Sequence, residues 1–404
     1  MLVRNVRPKA RHLLLAAISG ALVWIAAPAL SAQRYMPEAV DFEQALPSLR
    51  AAAKVPQARL VRAPKRAGAG PVTFRSSVVV APKRFDLVGL ARELRPLEIR
   101  ARPEGGEWSA WVEAEDGSPV YFGGADELQL RARGWRPKGV LHYVNVSGTT
   151  SFAGGLLTRA REAVNSAFIS ASAVLDPRAE ALPTRPQVIS RAAWGANRAS
   201  GGCRPRERPE KGTVKAAIVH HTVTANEYSE AEAPRIVLGI CRYHRNGNGW
   251  NDIGYNALVD RFGNVYAGRA GGLAKPIIGA QAQGFNAQTS GVATIGTHTT
   301  TPITSATAQG LVSFIAWKLA LNGLQARGKT TLTSAGGELS RYPVGRRLRL
   351  NRVFGHGTVG LTACPGKALE ADMIRLRRLI QTRIEESGGP APTTPPEGGG
   401  VTSR

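Results

Sequence analysis

Apolar and polar residues follow two different periodic patterns along this chain. Between about residues 72 and 146 the pattern repeats every two residues. In Leu97–Arg102 and Leu128–Arg133, for example, apolar residues alternate with polar or charged ones. A period of two predicts half-buried strands, and glycine pairs such as Gly105-Gly106 separate the runs. We therefore predict a small antiparallel β-sandwich-like domain over residues 71–148.

Between residues 187 and 386, short apolar runs alternate with segments of helical periodicity. The predicted helices are Ala231–His244, Thr304–Leu321 and a last helix opened by Pro365, and the predicted strands are Ala216–Val219, Asn256–Asp260, Asn264–Arg269, Ser290–Thr297 and Leu350–Phe354. Strands that alternate with helices indicate the α/β class. We therefore predict a mixed central sheet flanked by helices.

Four segments lie outside the two regions with these patterns. Residues 1–32 combine a basic start, an apolar run and a small-residue end, which predicts a secretory signal peptide. An uncleaved anchor is the alternative, although the apolar run is short for a membrane span. Residues 33–70 and 149–186 are predicted linkers, the second with one helix around Leu156–Phe168, and the Gly-, Pro- and Thr-rich residues 387–404 are a predicted disordered tail.

The charge narrows the choice of partner. The 404 residues carry a formal net charge of +24, and a basic excess of this size indicates contact with an anionic polymer or surface. Nucleic acid is the usual candidate, but the predicted signal peptide favours an anionic cell-wall polymer instead. We expect a secreted, wall-associated protein with no nucleic-acid partner and no stable membrane insertion after signal cleavage.

A split set of histidine and cysteine residues carries the candidate chemistry. His220 and His221 end an apolar strand, and His356 and Cys364 follow far downstream. Imidazole and thiolate ligands suit Zn²⁺, and three protein ligands are typical of a catalytic rather than a structural zinc site. Neighbouring residues on a strand point to opposite faces, so only one of the first two histidines faces a metal easily. The alternative is that these are ordinary core or surface histidines.

The cysteine count is odd. The chain has three cysteines, Cys203, Cys241 and Cys364, and an oxidising compartment would leave one of them outside a disulfide. If a metal holds Cys364 as a thiolate, Cys203 and Cys241 remain to form one disulfide. Two buried free thiols are the alternative.

Five motifs occur together, in a fixed order, over about half of the chain. They are Ile189–Gly195 (ISRAAWG), Val219–Thr222 (VHHT), Asp252–Asn256 (DIGYN), Val265–Arg269 (VYAGR) and the pair Gly355-His356 and Cys364–Gly366 (CPG). In these motifs the chain resembles the peptidoglycan recognition protein family, which includes zinc-dependent N-acetylmuramoyl-L-alanine amidases. The region of short strands also looks like the accessory domain of secreted actinobacterial members.

The resemblance implies roles for individual residues. It implies zinc on His220, His356 and Cys364, with His221 as a neighbour. It gives Tyr255 a catalytic position, for which a half-buried strand tyrosine is the alternative. A second catalytic position falls on Thr362, and the implied substrate contacts are His221, Gln281 and Asn286.

The sequence departs from the family pattern at three places. Gln281 stands where the family usually has His, Ala267 replaces a common Glu, and Gly357-Thr358 replaces a common Arg-Asp. These changes bear on substrate contacts and rate. The resemblance implies an amidase that cuts the bond between N-acetylmuramic acid and L-alanine of peptidoglycan. The alternatives are a non-catalytic or weakly catalytic peptidoglycan-binding module, whose relatives typically lack the metal cysteine, and a basic wall-structural protein.

Overall fold

The structure is a computed structural model that describes residues 37–46, 72–93, 95–114, 117–148, 183 and 185–388. The predicted signal peptide, the predicted helix around residues 156–168 and almost all of the predicted tail lie outside the described residues. Within the described ranges, no helix is long and apolar enough to cross a membrane.

The described residues form seven consecutive strands first, and then a region in which strands and helices are interspersed. The strands are β1 (Val40–Ala45), β2 (Val72–Arg75), β3 (Val79–Leu90), β4 (Leu97–Arg102), β5 (Val112–Ala114), β6 (Val120–Arg133), β7 (Val140–Asn145), β8 (Val188–Ile189), β9 (Ala216–His221), β10 (Ala257–Val259), β11 (Val265–Ala267), β12 (Thr289–Thr294), β13 (Lys329–Thr333), β14 (Arg347–Asn351) and β15 (Val353–Gly355). The α-helices are α1 (Ala233–Arg242), α2 (Ser305–Ala320) and α3 (Lys367–Glu386), and a π-helical turn, Tyr243–Gly247, continues α1.

A six-stranded sheet in the order β15-β9-β12-β10-β11-β8 forms the central sheet. The pairs β15–β9, β9–β12, β12–β10 and β11–β8 are parallel, whereas β10 and β11 are antiparallel. Helices α2 and α3 share one buried apolar cluster with these strands. The predicted α/β class with a mixed sheet and flanking helices is confirmed.

The alternation of side chains along β9 explains how this sheet is covered on both faces. Ala217 and Val219 belong to the apolar cluster that contains α2 and α3. Ala216 and Ile218 belong to a separate cluster with aromatic residues such as Phe354. A strand buried on both faces is continuously apolar, which is why the sequence of β9 lacks the alternation of a half-exposed strand.

Helix boundaries follow local chemistry. Helix α2 begins after Thr304, whose hydroxyl accepts the Thr307 backbone N–H at 3.0 Å and so satisfies a donor of the first turn. Helix α3 begins after Gly366, which has φ +88°. Its buried residues are Leu369, Met373, Leu376, Ile380, Gln381 and Ile384.

Strands β1 to β7 form one continuous antiparallel sheet, which we call the accessory sheet. The long strand β6 pairs with β2, β3 and β4. One face covers an apolar core that includes Phe85, Leu128 and Leu130. On strands β4 and β6, the guanidinium groups of Arg100 and Arg131 lie 4.8 and 4.4 Å from the ring centre of Trp111.

The linker prediction for residues 33–70 was wrong over Val40–Ala45, which form β1. This strand pairs antiparallel with β7, so that Asp41 lies opposite Val144 and Phe42 opposite Tyr143. The Phe42 ring stacks on Tyr143 at 4.8 Å between ring centres. These residues pair with Val140–Asn145, far along the chain, and no local pattern encodes a pairing over such a separation.

The predicted strand Leu350–Phe354 is two strands. Strand β14 ends at Asn351 and pairs antiparallel with β13 in a small separate sheet. Strand β15 starts at Val353 and enters the central sheet beside β9. The boundary at Arg352 is invisible in an apolar pattern because both segments contain apolar residues.

Candidate metal centre and active site

Two parallel strands bring the distant histidines together. His220 lies near the end of β9, and His356 directly follows β15. The register places Gly355 opposite Val219, so the next residue on each strand is a histidine. Because parallel strands end at the same edge of a sheet, the two side chains meet, with ring centres 4.5 Å apart.

Cys364 completes the cluster from the loop that follows His356. That loop folds back on itself, since the Gly357 N–H donates to the Cys364 carbonyl at 2.6 Å. The donor atoms of His220, His356 and Cys364 all lie within 4.8 Å of one another, and all three residues are buried. The Cys364 Sγ is 3.6 Å from His220 Nδ1, close to the roughly 3.3–3.8 Å that separates ligands of a tetrahedral zinc ion. The donor set therefore fits Zn²⁺ in both chemistry and spacing.

The surroundings of Cys364 favour a thiolate ligand. The His221 backbone N–H donates to the Cys364 Sγ at 3.5 Å, which stabilises negative charge on sulfur. The Thr362 hydroxyl oxygen accepts the Cys364 backbone N–H at 3.0 Å. A hydroxyl that accepts in this way still has its own hydrogen to donate. The structure thus places Thr362 beside the metal centre, holding the cysteine loop.

Gln281 contacts a predicted metal ligand. Its Oε1 atom accepts a hydrogen bond from His220 Nε2 at 2.5 Å, while its Nε2 atom donates to Thr289 Oγ1 at 3.0 Å. This arrangement leaves His220 Nδ1 toward the cysteine and fixes the tautomer of the ring. The sequence predicted Gln281 as a substrate contact, and its position behind His220 is one that a motif alone does not reveal.

Space for the Gln281 side chain comes from a glycine on β12. A Cβ atom at Gly291 would overlap the side chain of Gln281. Asn286, another predicted substrate contact, accepts the backbone N–H groups of Gln281 and Ala282, both at 2.8 Å. Asn286 therefore shapes the loop that carries Gln281.

Burial sets the charge state of the first histidine. Burial, together with the neighbouring His356 and His221, lowers the pKa of His220 well below its ordinary value of 6.5, although the hydrogen bond to Gln281 opposes this shift. A neutral imidazole is the form that binds a metal. The ring is therefore ready for coordination across the physiological pH range.

Tyr255 enters the same site from the loop before β10. Its ring centre lies 5.4 Å from that of His220, and its side chain is almost fully buried. His244 supports this loop, because its Nδ1 atom accepts the Gly254 N–H at 3.2 Å and its ring lies against Trp250 at 4.6 Å. Burial and the charge of Arg269 lower the pKa of His244 to about 3, so this histidine is a neutral structural residue.

His221 points away from His220, as alternation along a strand requires. Its Nδ1 atom accepts the His298 backbone N–H at 3.1 Å. It still borders the cavity beside the cluster. The next turn contains Val223, which is buried and has φ +55°. A β-branched residue in this region costs about 1–3 kcal/mol, and such strain is typical of functional sites.

The cluster opens onto a narrow cavity of about 20 Å³, which is room for about one water molecule. Its lining comprises Ser118, His220, His221, Val223, Trp250, Tyr255, Ala280, Gln281, His356 and Cys364. Ser118 belongs to the accessory sheet, and its hydroxyl lies 3.4 Å from that of Tyr255. Ser118 could not be recognised as a site residue from the sequence, because it lies 137 positions from Tyr255.

The predicted disulfide is present. Cys203 and Cys241 are bonded through their sulfurs and close a separation of 38 residues. Asp252 lies close to both sulfurs, but bonded sulfurs are not thiolate ligands, so this second cluster is not a metal site. Asp252 instead forms an ion pair with Arg191 at 3.1 Å, which connects the first sequence motif to the loop of Tyr255.

Comparison with known proteins agrees with this geometry. Residues 210–367 match the family described as N-acetylmuramoyl-L-alanine amidase. The peptidoglycan-recognition protein SC2 of Drosophila melanogaster is 30% identical over 184 residues, which cover 44% of this chain and 80% of that relative. The chain belongs to the peptidoglycan-recognition protein family. The resemblance predicted from the five motifs is thereby confirmed.

Two solved structures are also similar to this chain. Drosophila PGRP-LB has 23% sequence identity and a TM-score of 0.35, over 46% of this chain and 91% of that one. The endolysin N-acetylmuramoyl-L-alanine amidase LysCS from Clostridium intestinale has 18% identity and a TM-score of 0.33, over 48% of this chain and 97% of that one.

Proposed function

We propose that this protein is a secreted, zinc-dependent N-acetylmuramoyl-L-alanine amidase that acts on peptidoglycan in the cell wall. One observation carries the proposal: the donor atoms of His220, His356 and Cys364 converge within 4.8 Å on a cavity that Tyr255 also lines. Membership of the family supports the substrate class. The net charge of +24 supports contact with anionic wall polymers.

The three donor residues would hold the zinc ion. When bound, zinc supplies Lewis-acid polarisation of the amide carbonyl and lowers the pKa of water toward neutrality. Gln281 keeps His220 in one tautomer, and the His221 backbone N–H donates to the Cys364 sulfur. These contacts fix the ligands before substrate arrives, so no reorganisation is needed during the reaction.

Tyr255 is the residue that we assign to the chemical step. Its phenol borders the cavity beside His220, and a neutral phenol donates one hydrogen bond. Donation to the carbonyl oxygen becomes stronger as negative charge develops there, which lowers the barrier rather than merely tightening binding. Thr362 has a hydroxyl hydrogen that supplies a second donor from the cysteine loop.

The decisive experiment incubates the purified chain with purified peptidoglycan and analyses the products by mass spectrometry. We expect peptides with a new L-alanine amino terminus and glycan strands whose lactyl groups have lost their peptides. A chelator should stop the release, and added Zn²⁺ should restore it. Cleavage at a different bond, or cleavage that survives complete metal removal, would contradict the proposal.

The alternative is a module that binds peptidoglycan without cutting it. Gln281 and Ala267, where the family usually has His and Glu, favour this alternative over full activity. A pull-down with insoluble peptidoglycan separates the two functions, since the binding module sediments with the polymer but releases no peptide. Intact Cys364 and a buried three-donor cluster favour the enzyme.

A further inference from the structure

One turn next to the accessory sheet borders the cavity of the candidate active site. The Gly117–Ser118 turn, between β5 and β6, brings the Ser118 hydroxyl to 3.4 Å from that of Tyr255. The remaining cavity of about 20 Å³ holds about one water molecule. A peptidoglycan fragment is far larger than this, so the described arrangement is a closed one.

Specific polar contacts hold the turn in place. The Asn248 side chain donates to the Gly117 carbonyl at 2.6 Å. Asn248 directly follows the π-helical turn Tyr243–Gly247, and Trp250 and Tyr255 of the cavity wall come next in the chain. The turn is thus bound to the same segment that carries the predicted catalytic tyrosine.

A second set of contacts joins β1 to the end of α1. Arg242 Nε donates to Asp41 Oδ1 at 2.7 Å, and Asn246 also donates to the Asp41 carboxylate. Both charged side chains are largely buried, with exposures of 12% and 14%. An ion pair that is shielded from water is stronger than an exposed one, and losing one partner leaves the other charge uncompensated.

The middle of the contact is closely packed. The Leu87 side chain of β3 lies against Gly239 of α1, where any Cβ atom would overlap it. Gly89 makes the same kind of room for the ring of Tyr243. Tyr121 donates to Glu232 at 3.2 Å at the start of α1. The accessory sheet therefore fits the α1 side of the site in one defined position.

We propose that the Gly117–Ser118 turn is an intramolecular cover of the catalytic cavity, which the accessory sheet holds shut through α1 and the segment after it. The substrate enters only when this cover is displaced. The cover is a property of the fold, but its effect on turnover rests on the proposed amidase function. The resting protein is therefore self-inhibited, and weakening the contact should activate it.

The accessibility of Cys364 tests the cover without relying on catalysis. Since Cys203 and Cys241 form a disulfide, Cys364 carries the chain's remaining thiol, and it lines the cavity. The test is the rate of iodoacetamide alkylation after treatment with a chelator. We expect D41R, R242D and N248A each to raise this rate by at least about tenfold, the ratio that 1.4 kcal/mol produces.

Two comparisons make the test specific. The double variant D41R/R242D restores an opposite-charge pair and should return the rate toward that of the wild type. The matched control is E104R, because Glu104 is an exposed acid in the turn after β4 of the accessory sheet, outside the contact between Asp41 and Arg242. Its alkylation rate should match that of the wild type.

Each outcome either supports or contradicts the proposed cover. Unchanged alkylation in N248A and both charge reversals would overturn the cover, as would an equal rise in E104R, since that rise would mean general loosening. If D41R fails to fold, N248A decides alone. Peptidoglycan cleavage is measured in parallel. Faster alkylation of the variants, with no cleavage by any protein, supports the cover but refutes the amidase. Unchanged alkylation of the variants, with cleavage by the wild type, refutes the cover but supports the amidase.

Discussion

The central sheet and the accessory sheet use their strands for different purposes. In the central sheet, parallel pairing delivers His220 and His356 to one edge, although 136 positions separate them in the chain. In the accessory sheet, antiparallel pairing places charged side chains opposite each other, such as Arg131 and Glu98 at 2.5 Å. The central sheet thus concentrates the candidate reactive groups, whereas the accessory sheet carries the turn that we propose as their cover.

The largest effect is expected when a ligand on the central-sheet side is removed. The change is C364S, which exchanges a soft thiolate for a hydroxyl that binds zinc poorly. We expect large loss of bound zinc and loss of peptidoglycan cleavage, checked by metal analysis and product release. The control is the double variant C203A/C241A, which removes the disulfide, costs about 2–5 kcal/mol of stability and should still bind zinc. Full zinc occupancy in C364S would remove Cys364 from the site.

The second effect concerns the Tyr255 hydroxyl. The change is Y255F, which keeps the ring and removes a donor that is used as charge develops on the carbonyl. We expect turnover to fall about 100- to 1,000-fold, with zinc content and peptidoglycan binding retained. The control is S118A, which removes the other hydroxyl of the 3.4 Å contact and should not slow turnover. Near-normal cleavage by zinc-loaded Y255F would assign the step to Thr362 and the metal.

Much of the fold could be predicted from the sequence, because local periodicity determined it. The helices around Ile236 and Met373 have clear helical periodicity and the strand before His220 is continuously apolar, and the structure contains each of them. The disulfide could be inferred from the cysteine count. By contrast, β1 and the Ser118 contact depend on partners about 100 or more residues away, and no local pattern encodes such contacts.

The third effect concerns Gln281, which contacts the candidate zinc ligand His220. The change is Q281M, which keeps the length of the side chain but removes the oxygen that accepts from His220. We expect zinc affinity to fall about 10- to 100-fold, measured by competition with a chelating dye. The control is Q283M, because Gln283 is exposed and its side-chain oxygen accepts the backbone N–H of Leu339, away from the candidate metal ligands. Equal zinc affinity in Q281M and the wild type would leave Gln281 without a role at the metal.

The smallest effect belongs to the accessory-sheet side and depends on pH. Burial disfavours a charged His142 ring, but hydrogen bonds to Asp41 and Glu43 outweigh burial and raise its pKa above 6.5. The ring of Tyr243 faces it from the other side, and Arg242 lies beyond Asp41. A raised pKa gives stability that is fully present below pH 6.5 and is lost as pH rises through the raised value.

The measurement compares chemical denaturation of the wild type and H142Q from about pH 6 to about pH 8, the range in which histidine charge changes. The wild type should lose stability relative to H142Q as pH rises. His220, His244 and His298 have lowered pKa values, which give the opposite slope, but both proteins contain them, so the difference between the two proteins isolates His142. Parallel curves would show that His142 does not contribute charge to the contact.

The close fit between Gly291 and Gln281 restricts how this protein can change over evolutionary time. A Cβ atom at Gly291 would occupy the space of the Gln281 side chain, so any larger residue there requires a shorter one at position 281. A shorter residue in turn gives up the hydrogen bond to His220. Substitutions at these two positions are therefore coupled, and descendants that keep the metal centre should keep the glycine even where position 281 alternates among residues that can still accept from the histidine.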